Sequence, residues 1–179
     1  CQWLQGRVKR DGTTVYENII DERTLQLGQY RSGKYDNQRI IDTYRHNVAR
    51  HIELIPSLVE NNIRSFRISS SIFPLFEFNR SLAIADQTLN NRLQVLGRLF
   101  KEHGIRVTTH PGQFTVLSSD KDSVVQNSIR ELEMHAWTFD AMGFEQTAYN
   151  AINIHGGKSD RSDKLIEVIN SLPDNVRNR

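Results

Sequence analysis

Cysteine is nearly absent. Cys1 is the single one in 179 residues, which excludes an internal disulfide and fits a reducing compartment. No apolar run reaches the roughly 18 residues that suggest a membrane span. The first residues also lack the apolar stretch of a secretory leader. A cytoplasmic or nucleoid-associated protein with no membrane partner is the expectation. A strong charge imbalance is missing too: the formal net charge is +2, which allows a polyanionic partner without demanding one. An initiating Met is lacking, and the closing "LPDNVRNR" stops in a polar segment. A piece of a longer protein is therefore expected.

What is present is enough chain for one well-buried domain, with 37% hydrophobic and 25% charged residues. Residues 1–35 are polar, with Gly at 6, 12, 28 and 33, and read as loop-rich with a short helix near 21–27. Asp36 is placed to cap a long amphipathic helix, whose apolar positions run from Ile40 to Val59 at three-to-four spacing. Pro56 should kink that helix or split off its last turn. A strand over 63–68 follows, then a helix over 86–103 ended by Gly104, and a strand over 105–110. A helix over 123–142 ends at Gly143, "NAINIHGG" is another strand, and "DKLIEVINSL" opens another helix.

Strand centres near 66, 107 and 152 lie about 41 and 45 residues apart, which suits successive βα units with right-handed crossovers. Both a doubly wound sheet and a barrel satisfy that period. The barrel is favoured because each strand ends in a polar cluster, and in a βα barrel all strand C-termini open onto one face. A complete barrel needs about 250 residues, so the chain covers half to two-thirds of one.

His110 and His155 hold equivalent places just after two of these strands. Neutral imidazoles there could share a divalent ion, or each could make a structural hydrogen bond. His103 suits a helix C-terminus, and His46, His51 and His135 suit packing or surface roles within helices. Gln113 and Phe114 follow Gly112, which permits a sharp turn. They could stack on and bond to a base, or Phe114 could be buried under the loop. Ser69 and Ser70 in "RISSSIFP" offer hydroxyls for phosphate or for the loop backbone. "HGGKSDRSDK", with Lys158, has the glycines and cations of an anion-binding loop but lacks the P-loop pattern.

Four blocks in order, "FRISSSIFPL" (66–75), "THPGQFTVLSS" (109–119), "VVQNSIRELEMHAWTFDAMG" (124–143) and "INIHGG" (152–157), together resemble the UV damage endonuclease family. The resemblance implies a TIM barrel with a cluster of divalent metals, usually Mn2+, at the C-terminal face. It implies a monomer that nicks double-stranded DNA immediately 5′ to UV photoproducts, cyclobutane dimers and 6-4 products, and so starts excision repair. By motif, His110 and His155 fall on metal-ligand positions, and Gln113 and Phe114 on the pair that wedges into the duplex. The catalytic group would be metal-activated water. Where many relatives carry a metal-binding His after the first block, this chain has Phe78. Glu77 is the oxygen donor expected to substitute. Trp3 and its neighbours stand where the family has an Asn near the lesion, and the remaining ligands would follow residue 179. Two rivals remain: another metal-dependent TIM barrel (an abasic-site endonuclease or a xylose-isomerase-like enzyme), and a damaged-DNA-binding protein that no longer cuts.

Overall fold

A computed structural model describes residues 4–18, 20–157 and 159–179. It opens on a hairpin of β1 (Leu4–Val8) and β2 (Thr14–Asn18), paired antiparallel with Leu4 opposite Asn18. Asp11 holds the turn by accepting from the Thr13 N–H at 3.0 Å, and Gly12 takes a φ of 81° there. The loop-rich reading of residues 1–35 is thus corrected for 4–18. The ladder is formed by backbone bonds between strands, and "LQGRV" and "TVYEN" lack the apolar alternation that would have announced it. The helix expected near 21–27 also moves: it forms one turn later, as α1 (Leu27–Arg31).

Local signals place the next elements well. Asp36 caps α2 (Asn37–Glu60), its carboxylate accepting from the Arg39 N–H at 2.7 Å. Ile40, Tyr44, Val48, Leu54 and Leu58 line its buried face. The helix continues through Pro56, so the last turn is not split off. β3 (Ser65–Ile68) buries Phe66 and Ile68 and exposes the two residues between and before them. α3 (Phe76–Ala85), unanticipated, begins after Leu75 at φ 61° with no side-chain cap. α4 (Gln87–Glu102) is capped by Asp86 and buries Leu89, Leu93, Leu96 and Phe100 completely. Gly97 lets α4 meet the end of the following long helix, because a Cβ there would sit 2.0 Å from the Met142 carbonyl oxygen. Gly104 then turns the chain with a φ of 62°.

β4 (Arg106–Thr109) lies parallel to β3, with Ile68 opposite Thr109. α5 (Asp122–Ala141) packs against α3 and α4, and its His135 reaches the Thr109 hydroxyl at the end of β4. The expected third strand is reduced to one parallel bridge, Thr109 to Ile152, made by bonds from the Thr109 N–H to the Ala151 carbonyl and from the Asn153 N–H to the Thr109 carbonyl. On its other side the Ile152 N–H donates to the Arg179 carbonyl at 3.1 Å. α6 (Ser162–Ser171) and α7 (Asp174–Arg177) complete the order. No helix among the described residues is long and apolar enough to cross a membrane.

This register sets the rim that carries His110. Ile68, Thr109 and Ile152 are level with one another, so Ser69, His110 and Asn153 leave the sheet together at one rim. Buried Asn47 of α2 ties the loop after β3 to the segment before α1. Its amide donates to the Arg23 and Ile72 carbonyls and its oxygen accepts from the Arg23 N–H, all within 3.0 Å.

Candidate functional site

The rim brings the two sequence-predicted histidines together. The rings of His110 and His155 lie 4.4 Å apart between centroids at an angle of 50°. His110 Nδ1 is 2.7 Å from the Asn153 carbonyl oxygen. A carbonyl only accepts, so Nδ1 carries the proton, and in the neutral ring Nε2 keeps its lone pair. Orientation of a histidine by a backbone carbonyl in this way is the usual outer support of a metal-binding imidazole. The donor chemistry therefore fits part of a divalent-metal site. Among the described residues, no group of three or more His, Cys, Asp and Glu side chains joins them.

His110, His155, Arg67, Ser69, Ser70 and Gln113 line one cleft of about 350 Å³. Ser69 is buried and its hydroxyl sits 2.8 Å from the Ser71 hydroxyl, so it serves the loop as well as facing the cleft. Glu77 and Phe78 lie elsewhere. They line a neighbouring cleft of about 550 Å³ with Arg31, Arg130 and Ser70. Phe78 stacks on Tyr30 with centroids 5.5 Å apart. Lys158 and Trp3 lie outside the described residues.

The turn after His110 has a clear division of labour. Pro111, Thr115, Leu117 and Ser118 are buried, whereas Gln113 is exposed and Phe114 is 81% exposed. Burial of Phe114 beneath the loop is thereby excluded. An aromatic ring left in water at a loop tip forfeits about 1.5–3 kcal/mol of burial, a cost that a partner surface would recover. Gly157, at φ 76°, lies against the same loop, and a Cβ on it would meet the Ser118 hydroxyl oxygen at 2.1 Å. Only glycine lets the segment after His155 approach this closely.

Two further residues escaped sequence reasoning. Glu131 and Ser128 of α5 bond to the turn, at Gly112, Thr115 and Val116. They sit 12 to 19 residues from their partners in the chain, and no local spacing marks them. Of the packing and surface roles expected for His135, the structure shows packing. It is buried, with Nδ1 3.1 Å from the Thr109 hydroxyl, directly behind the strand end that delivers His110.

Burial pushes His135 down to about 3, and the charge His110 can carry adds to the effect. Burial likewise lowers His51, against the opposing Asn47 carbonyl and Glu22. The unfolded chain protonates such residues below about pH 6.5 while the fold keeps them neutral. Stability is therefore full above that pH and falls as the pH drops, by about 1.4 kcal/mol per unit for each histidine until its folded value is reached. Denaturant midpoints should drop between about pH 7 and about pH 5, and His135→Gln should show a shallower drop. Equal slopes for variant and parent would contradict this account.

Comparison with known proteins identifies the family. The family model described as UV-endonuclease UvdE matches residues 13–179. The UV DNA damage endonuclease of Nostoc sp. is 40% identical over 140 residues, which are 77% of this chain and 43% of that protein. The UV DNA damage endonuclease of Deinococcus radiodurans is 34% identical over 161 residues, 88% of this chain and 53% of that protein. The crystal structure of SacUVDE superposes with a TM-score of 0.77 at 31% identity, covering 88% of this chain and 53% of that one. The chain thus spans about half the length of the relatives it matches. The match decides between the two sheet architectures in favour of part of a TIM barrel. With its βα units and its histidine-bearing rim, this chain belongs to the UV-endonuclease UvdE family.

Proposed function

We propose that this chain is the part of a metal-dependent DNA repair endonuclease that holds some of its metal ligands and its lesion probe. The protein would nick double-stranded DNA 5′ to cyclobutane dimers and 6-4 products. The observation that carries this reading is the His110–His155 pair at 4.4 Å beside a Phe114 left 81% exposed. His110 and His155 would hold a divalent ion, Mn2+ being the expected one. When bound, such an ion supplies Lewis acidity and water activated for attack on phosphorus near neutral pH.

The chain's own residues prepare that chemistry. The Asn153 carbonyl holds the His110 ring in one orientation and one tautomer. Phe114 would stack into the duplex while the Gln113 amide bonds to base edges. A photodimer stacks poorly with its neighbours, so opening the helix costs least there, and selectivity follows from deformability. Ser70 and Arg67 at the cleft mouth, and Lys158 after it in sequence, would meet backbone phosphates, making affinity fall as salt rises.

The decisive assay presents the full-length protein in Mn2+ with three substrates: a UV-irradiated duplex, an abasic-site duplex and a sugar. Nicking confined to the irradiated duplex is the expected outcome, and cleavage of the abasic site alone would move the protein to the first rival class. Phe78 favours a second reading, because it stacks on Tyr30 where a ligand is expected. Under that reading the protein binds lesions without cutting, and lesion-specific binding with no nick in Mn2+ would establish it. Glu77 lines a different cleft from the histidines. Accordingly Glu77→Ala should keep the parental metal stoichiometry, measured by elemental analysis. A lost equivalent of metal would return Glu77 to the ligand set.

A further inference from the structure

The probe at the rim hangs from one carboxylate. Glu131 of α5 accepts from the Gly112 N–H at 2.6 Å with one oxygen and from the Thr115 hydroxyl at 2.7 Å with the other. Those donors are the residues immediately before Gln113 and immediately after Phe114. Both oxygens are engaged, one on each side of a two-residue tip. One helical turn earlier, the Ser128 hydroxyl accepts from the Val116 N–H at 2.8 Å and donates to the Val124 carbonyl. The Thr115 N–H closes the turn on the Gly112 carbonyl at 3.0 Å.

An exposed phenyl ring gains by folding back onto apolar surface, so a projecting one must be restrained. Bonds to an ionised carboxylate are shorter and stronger than neutral ones. Two of them from a single rigid helix fix both feet of the tip. A probe held in its working pose before contact loses less conformational entropy on binding. We propose that Glu131 is a positioning residue for lesion recognition, whose carboxylate sets how Gln113 and Phe114 project from the rim. This deepens the function proposed above and rests on it.

The test compares the affinity of the full-length protein for a synthetic duplex carrying one cyclobutane dimer with that for its undamaged twin. Glu131→Ala should lower the damaged-to-intact ratio about tenfold, or about 1.4 kcal/mol. Glu131→Gln should restore most of it: its amide oxygen still accepts from Gly112, and its NH2 can donate to the Thr115 hydroxyl. In a background already carrying Gln113→Ala and Phe114→Ala, Glu131→Ala should lower the ratio no further, since the three act as one unit. Thr115→Val removes one foot with little change of shape and should lower the ratio about threefold, which keeps the test open if Glu131→Ala folds poorly. A ratio unchanged in Thr115→Val and in any folded Glu131→Ala overturns the proposal, as does a further fall in the tipless background. If the parent itself binds both duplexes equally, the proposed function fails and takes this inference with it. If the parent discriminates and the variants match it, the positioning role alone fails.

Discussion

Under the function proposed above, His110→Ala in the full-length protein should reduce nicking of a UV-irradiated duplex at least about 100-fold, because a metal-held transition state would be stabilised by several kcal/mol and each 1.36 kcal/mol is a factor of ten. Bound metal, measured by elemental analysis, should fall in the same variant. The fold should survive the change. The His110 ring is only partly buried, and its one assigned bond is to the Asn153 carbonyl. Losing a single partly exposed bond of this type costs about 0.5–1.5 kcal/mol. A drop in rate with an intact thermal transition thus reports on the site rather than on unfolding. Parental metal content and rate in His110→Ala would remove the histidine pair from the metal site.

The double variant Gln113→Ala, Phe114→Ala should act on recognition and leave metal untouched. Stacking of a base on an aromatic ring contributes about 1–3 kcal/mol, and a well-placed amide on a base edge a similar amount. Their loss together should lower the damaged-to-intact affinity ratio about 10- to 100-fold, short of the full sum because neighbouring contacts are not additive. Both side chains are exposed, Phe114 by 81%, so truncation should shift stability by no more than about 0.5 kcal/mol. An unchanged affinity ratio would show that the tip does not probe the duplex. An unchanged ratio together with lost metal would instead mean that the turn supports His110.

These two variants separate chemistry from recognition because the rim keeps them on different atoms. His110 is tied to the neighbouring segment through Asn153. The tip beyond it is tied to α5 through Glu131. Both sets of residues leave the same strand within five positions.

The amino-acid sequence by itself determined whatever depends on residues within about one turn of each other. Asp36 and Asp86 start helices because a carboxylate reaches the N–H three residues on. Gly104 and Gly143 end them because a positive φ is inexpensive only for glycine. The apolar spacing of α2, α4 and α5 marks their buried faces. The period of strand, turn and helix set His110 and His155 at matching places, and the quoted blocks pointed to the family. Only the tertiary structure decided the rest. The 4–18 hairpin had only its Asp11-Gly12 turn as a local sign, nothing local announced α3, and "NAINIHGG" was too short of partners to be more than one bridge. Glu77 has the right chemistry for a ligand, yet α3 turns it toward another cleft. Glu131 reaches Gly112 across 19 residues of chain, and Asn153 reaches His110 across 43. Those bonds exist because α5 lies beside the turn and the Ile152 segment bridges to Thr109, placements set by packing over the whole core rather than by any pattern a short window of residues contains.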